Sequence, residues 1–420
     1  MRGQTIAEKI LSKAAVKRVY AGDIVNCQPD LAMATDGSFP MAIDYLAQME
    51  PSTMRPMFPE RIILALDHYD SSSGPKALAL QEKAKAYARE FDLTLFDAGE
   101  GVGHQLMLES GRIRPGMLVV GADSHSTTYS ALNCFATGIG SSDLAGILLC
   151  GALWLRVPET IKVQLKGVLN KGVSGKDVAL SLAKCFENGG ANYFALEFHG
   201  DGLAQLHMKD RIVISNMAVE YGAKAAIFQF DEITNAWLLA NNTAGCKAVT
   251  PDTDAHYSRD ITIDLGDVVP QLALPHSVDN VIAADSADSI KVDTVYVGTC
   301  TAGRYEDFYD VFKILKKNGG PSPHVKLIIT PASQAVYLQL KASGVLDEFV
   351  QYGALLQPPG CGSCCGTAGY RPRDGEVIIS TANRNFKGRM GNAQCFIYLA
   401  SPQTCAQVAC TGYINKRASQ

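Results

Sequence analysis

The sequence predicts an α/β protein of mostly parallel sheets, organised as three α/β units of comparable size. The main observation is a recurring order, in which an apolar or β-branched run is followed by a turn bearing polar residues and then a helix-like pattern. Arg61 to Leu66 leads into Asp67-His68, and Leu118 to Gly121 leads into Asp123-Ser124-His125. Near the end, Thr294 to Val297 leads into Gly298 to Arg304 and then a helix-like Tyr305 to Lys316. A second observation is length: 420 residues, 47% of them hydrophobic, suffice for more than one buried core.

The boundaries follow from turn and strand signals. Pro158 precedes the strand-like Ile161 to Leu165, and Val268 to Asp288, with two Pro and scattered Ser and Asp, reads as a connection. The units are therefore expected at 1–157, 158–285 and 286–420. No internal repeat, low-complexity run or heptad array is visible. In open parallel sheets ligands bind beyond the carboxyl ends of strands, so the polar turns are where a shared site is expected.

Charge narrows the class of partner. Lys plus Arg number 38 against 42 Asp plus Glu, a formal net charge of -4, so no global basic field points to nucleic acid. The first twenty residues carry Arg2, Lys9, Lys13, Lys17 and Arg18 among Ile and Ala and lack the apolar core of a secretory signal. The longest apolar stretches, such as Leu144 to Leu155, fall short of the roughly 20 residues that span a bilayer. A membrane role is not expected. With 12 Cys and no export signal, the reading is a cytoplasmic protein whose thiols are core residues, metal ligands or nucleophiles.

Cys27, Cys134, Cys150, Cys185, Cys246, Cys395, Cys405 and Cys410 stand singly and read as core packing. Cys361-Gly-Ser-Cys364 is different: it follows Pro358-Pro359-Gly360, a context for a tight loop. A closed zinc site would want a second Cys pair about 15 to 20 residues away, and after Cys365 the next Cys is the solitary Cys395. A dithiol redox motif would sit beside a thioredoxin-like pattern, which is missing. Cys300, at a Gly-bounded strand end of the same kind, is the candidate third thiol. Three thiolates from two loops suit a cubane iron–sulfur cluster with one iron left open as a Lewis acid. Cys365 is the alternative to Cys364 and reads as packing.

Dehydrating a hydroxy acid requires a base, an acid and cations for carboxylates. Asp67-His68, Gly103-His104-Gln105 and Asp123-Ser124-His125 each set an imidazole in a turn after a strand, where a carboxylate can fix its tautomer. Three of the eight His at such turns favour a site, whereas His199, His207, His256, His276 and His324 read as structural. Asn216 and Glu220, four apart in a helical pattern, share a face and can orient an imidazole. Ser380 to Arg389 follows the strand-like Glu376 to Ile379 and sets Arg384 and Arg389 five apart, guanidinium groups suited to bidentate carboxylate capture. Arg304 is a third candidate clamp.

Taken in order, Gly121-Ala-Asp123-Ser124-His125-Ser-Thr, Gly138-Ile-Gly140-Ser-Ser-Asp143, Gly298-Thr-Cys300-Thr, Gly360-Cys361-x-x-Cys364 and Asn383-Arg384-Asn385-Phe-x-Gly-Arg389 resemble the signatures of the aconitase superfamily. The resemblance spans nearly the whole chain and is nearest to the separate large subunits that act on isopropylmalate or homoaconitate. It implies three aconitase-like α/β/α domains around one [4Fe-4S] cluster on Cys300, Cys361 and Cys364, with Asn383 and Asn216 near the cluster. It further implies the pairs Asp67 with His68, Asp123 with His104 and Glu220 with His125, with Ser124 among the acid–base residues. Arg384 and Arg389, with Asp36 and Arg304, would contact a hydroxy-carboxylate substrate.

Two positions depart from the family. Ala302 stands where Asn is usual after the cluster cysteine, and Thr35 stands where single-chain members carry Gln. The fourth, swivelling domain of single-chain members is not expected, so the resemblance implies a separate small subunit that carries it. The implied activity is a hydro-lyase that isomerises 2- and 3-hydroxy acids, with 3-isopropylmalate first and homoaconitate or a methyl- or dimethylmalate next. A cluster-exchanging RNA-binding protein is the reading of another class, disfavoured by the intact cysteines and the lack of a basic stripe.

Overall fold

The computed structural model describes residues 2–50 and 54–415. They form two compact units. One takes in the described residues up to Ala98 together with Gly103–Gly167 and Ala191–Asp264, and the other Gly99–Val102, Val168–Gly190 and the described residues from Leu265 onward.

The first unit holds a five-stranded parallel sheet in the order Thr94–Phe96, Ile62–Ala65, Leu31–Thr35, Leu118–Gly121, Phe135–Gly138. Numbered along the chain this is 3-2-1-4-5, a doubly wound order whose direction reverses between Leu31–Thr35 and Leu118–Gly121. Every residue of those two strands and of Ile62–Ala65 is buried, as expected for parallel strands covered on both faces. Helices Phe39–Met49, Pro75–Glu90, Gly103–Glu109 and Ser141–Cys150 supply the intervening segments. The same unit carries a four-stranded parallel sheet, Ala225–Phe228, Ala195–His199, Thr160–Lys166, Arg259–Asp264. Its outer strand exposes Arg259, Asp260 and Asp264, and such charges discourage pairing at an open edge.

The second unit is built on a seven-stranded sheet. Its five parallel strands run Leu355–Leu356, Lys326–Thr330, Thr294–Gly298, Val377–Ser380, Phe396–Ala400, again 3-2-1-4-5 in chain order. The winding of the first sheet thus recurs where the sequence shows no repeat. Helix Tyr305–Lys317 carries Glu306 and Asp307 in its first turn and Lys316 and Lys317 in its last, which complements the helix dipole. Its Phe308, Val311 and Leu315 pack with Val295, Val297 and Leu327 of the sheet. Each such side chain contributes about 2 kcal/mol on burial.

Two expectations are corrected. The Val268 to Asp288 connection contains strands Gln271–Ala273 and Val281–Ala283, which extend the seven-stranded sheet antiparallel beyond Phe396–Ala400. They are only three residues each, too short for an alternation signal, and Pro270 and Pro275 bracket the first. Among the solitary cysteines, Cys27, Cys134, Cys395 and Cys405 are buried, but Cys150 and Cys185 are exposed at helix ends rather than packed in a core. Among the described residues no helix is long and apolar enough to cross a membrane.

Candidate active site

The residues that follow the three central strands of the first sheet are Asp36, Asp67-His68 and Asp123-Ser124-His125, so the winding delivers them to one carboxyl edge at the point of reversal. Asp123 caps a nine-residue 3-10 helix, Ser124–Leu132, by accepting the backbone N–H of His125 at 2.8 Å. The preceding strand can approach this turn because Gly121 has no Cβ: one added there would lie 2.0 Å from Ser126 Oγ. The Ser126 hydroxyl in turn donates to the Asp123 carbonyl at 2.8 Å.

Asp123 is the hub of the arrangement. Its Oδ1 lies 2.8 Å from His104 Nε2 and 3.6 Å from His125 Nδ1, and its Oδ2 lies 3.7 Å from His68 Nε2. Each ring has a second anchor. His68 Nδ1 meets Asp67 Oδ1 at 2.6 Å, His104 Nδ1 meets the Tyr129 hydroxyl at 2.9 Å, and His125 Nε2 meets Glu220 Oε1 at 2.7 Å. His104 sits in the first turn of helix Gly103–Glu109 rather than in a turn after a strand. Burial opposes ionisation of Asp123, but His104 and then His125 outweigh it and hold the carboxyl well below the usual carboxylate range. A carboxylate that stays charged here accepts N–H groups from the rings around it and so fixes their orientation.

Asp36 occupies another position than expected. It is fully buried and accepts the backbone N–H groups of His68 at 3.0 Å and Tyr69 at 3.1 Å, and the Gln81 amide at 3.0 Å. A carboxylate so enclosed cannot contact a substrate; it holds the His68 turn from beneath. Burial, and then the neighbouring Asp67, push its pKa up to about 6. Asn216, buried on helix Met208–Met217, donates to Thr128 Oγ1 at 2.8 Å. Glu220 lies in the 3-10 segment Ala218–Tyr221 that follows. Both therefore brace the Ser124–Leu132 helix, one at Thr128 and one at His125. Ser124 is half-buried in its first position.

In the second unit, the strand ends at the corresponding reversal deliver Cys300 and Asn383. The Asn383 amide donates to Cys300 Sγ at 3.3 Å, and its Oδ1 lies 3.6 Å from Cys364 Sγ. Cys300 and Cys361 pack together with Val102 and Ala332. Gly298, at φ +151°, leads into the Cys300 turn, and a Cβ there would stand 2.4 Å from the Thr330 carbonyl. Arg389 Nη2 lies 3.5 Å from Cys364 Sγ, while Arg384, next to Asn383, is half-buried. Cys365 meets the Thr367 hydroxyl at 2.7 Å. Arg304 is corrected: it is buried, with Nη1 on the Thr301 carbonyl at 3.0 Å and Nη2 on the Cys300 carbonyl at 2.8 Å. Both forks are spent on the backbone, so it buttresses the Cys300 turn instead of clamping a carboxylate.

The donor set suits a sulfur-ligated cluster. Cys300, Cys361 and Cys364 form no disulfide, one amide bridges two of the sulfurs, and Arg389 keeps a buried Nε with no partner among the described residues. An anionic group on the sulfurs would give that guanidinium its counterpart, whereas a closed zinc site wants a fourth protein ligand. Sequence reasoning missed Tyr129, Gln81 and Lys176. Their roles depend on partners far away in sequence, and a lone Tyr, Gln or Lys carries no motif.

Residues 8–289 and 283–412 match the Aconitase family (aconitate hydratase). The chain belongs to the aconitase family. Membership makes it an enzyme of the hydro-lyase class, in a family that generally binds a [4Fe-4S] cluster. It is 42% identical over 416 residues, 98% of each chain, to 3-isopropylmalate dehydratase large subunit 1 of Thermotoga maritima. It is 39% identical over 425 residues to the methanogen homoaconitase large subunit of Methanocaldococcus jannaschii, covering 98% of this chain and 99% of that one. The fold is similar to that of holo-form aconitase X from Thermococcus kodakaraensis, with a TM-score of 0.50, 13% identity and 90% and 88% of the two chains covered.

Proposed function

We propose that this aconitase-family chain is the large subunit of a [4Fe-4S]-dependent hydro-lyase that interconverts 2- and 3-hydroxy acids by dehydration and rehydration. 3-Isopropylmalate is the proposed substrate, which places the protein in leucine biosynthesis in the cytoplasm; homoaconitate is the alternative. The observation that carries the reading is the convergence of three carboxylate-anchored imidazoles on Asp123. The full-length relatives named as large subunits support the choice of substrate and imply a small subunit as partner. That partner would bring the swivelling domain and the remaining substrate contacts.

Cys300, Cys361 and Cys364 would hold one cluster per chain. When bound, such a cluster offers an iron without a cysteine ligand, a Lewis acid for the departing hydroxyl. The protein supplies proton handling. Asp67 accepts from His68 Nδ1–H, which leaves Nε2 as the nitrogen that gives or takes a proton. Asp123 accepts from His104 Nε2–H, and the Tyr129 hydroxyl then donates to Nδ1. Glu220 accepts from His125 Nε2–H and so orients Nδ1 toward Asp123. Each imidazole keeps one ring nitrogen fixed by a carboxylate, and general acid–base catalysis of this kind contributes about 10²–10⁴-fold. Arg384 and Arg389 would bind substrate carboxylates, as guanidinium groups do bidentately.

The test is anaerobic reconstitution with iron and sulfide, with and without the small subunit, while conjugated-alkene absorbance is followed with 3-isopropylmalate, homologous hydroxy-tricarboxylates and methylmalates. Turnover of 3-isopropylmalate by the two-subunit enzyme is expected. Full activity of the isolated chain would overturn the two-subunit reading, and preference for a tricarboxylate would replace the substrate.

A further inference from the structure

Helix Gly175–Cys185 opens with a capping box in which Ser174 receives Lys176 N–H and Asp177 reaches back to Ser174. Asp177 is engaged there, accepting Ser174 N–H at 2.9 Å and Gln271 N–H at 2.9 Å. Lys176 points elsewhere. It is 1% exposed, and its ammonium donates to the carbonyls of Ala382 at 2.6 Å and Thr381 at 3.1 Å. These are the two residues directly before Asn383, whose amide faces Cys300 and Cys364.

The same segment is tied to the Cys300 turn from the other side. Gly298 N–H donates to Thr381 Oγ1 at 3.0 Å, and Thr301 Oγ1 donates to the Thr381 carbonyl. Thr299 and Thr301 hydroxyls meet at 2.7 Å. One carbonyl, that of Thr381, therefore joins Lys176 to the turn that carries Cys300. Burying an ammonium is costly, and an apolar side chain of similar length would fill the space without that penalty. The charge is placed where it holds the two carbonyls that directly precede Asn383, whose amide meets Cys300 Sγ.

We propose that Lys176 is a positioning residue for the sulfur site: it fixes Thr381 and Ala382, and through them Asn383, against Cys300 and Cys364, and its charge raises the reduction potential of a cluster held there. This rests on the reading that the three sulfurs hold an iron–sulfur cluster. Partners that orient metal ligands typically change metal affinity about 10–100-fold when removed.

The experiment uses the full chain with its small subunit, as wild type, Lys176→Met, Lys176→Gln and Lys176→Arg, reconstituted anaerobically. Thermal unfolding before reconstitution reports the fold; iron and sulfide content, the rate of iron loss to a chelator and the reduction potential report the site. Expected are loading in all four proteins, iron loss about 10-fold faster in Lys176→Met, a lower potential in Lys176→Met and Lys176→Gln, and recovery of the potential in Lys176→Arg. Lys176→Gln keeps an N–H donor, so it reads the charge even where Lys176→Met fails to fold. A wild-type chain that takes up no iron overturns the cluster reading and this role with it. A wild type that loads, with Lys176→Gln at the same potential and the same iron-loss rate, overturns the role of Lys176 alone.

Discussion

Oδ1 of Asp123 accepts two donors at once, the ring of His104 at 2.8 Å and the backbone N–H of His125 at 2.8 Å. An amide in that place would offer either a carbonyl oxygen or an NH₂ group to the ring and no charge to either His. Asp123→Asn is therefore expected to fold and to lose about 10²–10⁴-fold in kcat, the usual contribution of a positioned acid–base group. Steady-state hydration of the unsaturated intermediate measures it; a variant within threefold of wild type would refute the hub.

Acid stability follows from two carboxyls with shifts of opposite sign. Asp123 is depressed in the folded state, so its contribution is present above the unfolded value of 3.8 and is lost as pH falls through the lower folded value. Asp36 is raised to about 6, so the folded chain holds its proton more tightly and stability from this group declines as pH rises from about 4 to 6. Urea unfolding across pH 3 to 7 should show Asp123→Asn flattening the acid limb and Asp36→Asn flattening the decline between pH 4 and 6.

Among the four clustered thiols, substitution separates a proposed ligand from a proposed bystander. Cys361→Ser is expected to lower iron and sulfide content after reconstitution to a small fraction of wild type, while Cys365→Ser, whose sulfur meets Thr367, retains cluster absorbance. The opposite pattern would exchange their assignments.

Arg304 and Arg389 should fail in different ways. Arg304→Leu strips donors from the Cys300 and Thr301 carbonyls, and buried groups left unsatisfied cost about 1–3 kcal/mol each, so the midpoint of thermal unfolding falls by several degrees. Arg389→Lys keeps the charge but loses the planar fork, so its expected signature is a KM raised about 10-fold or more with little change in melting temperature. That figure corresponds to about 1.4 kcal/mol, within what a charge-assisted hydrogen bond supplies. Differential scanning and initial rates on the two variants distinguish them.

Local order was readable wherever a strand is long enough to show its pattern. Leu118–Gly121 and the helix starting at Tyr305 lie where apolar runs and the turn after them put them. Gln271–Ala273 and Val281–Ala283 did not, because three residues between prolines, as in the first, or between polar groups, as in the second, look like loop. The thiols Cys300, Cys361 and Cys364 stood out through spacing and flanking glycine. Asp36 and Arg304 were legible as polar residues near strand ends, but not as buried ones. Whether a carboxylate meets solvent or three N–H groups depends on residues such as Gln81, 45 positions away, and no local pattern encodes that. The shared winding of the two sheets was equally hidden, since strand order is a property of crossings rather than of composition.

That shared winding has an engineering consequence. In both sheets residues proposed to act, Asp67-His68 and Asp123 in one and Cys300 and Asn383 in the other, follow the carboxyl ends of strands, while the opposite edge is reached through the turns at Ser110–Met117, Asn318–Val325 and Arg373–Glu376. Exposed positions there, Asn318 and Gly319 in one turn and Arg373 to Gly375 in another, lie at the edge opposite the proposed site, so fluorophores and affinity handles belong on them.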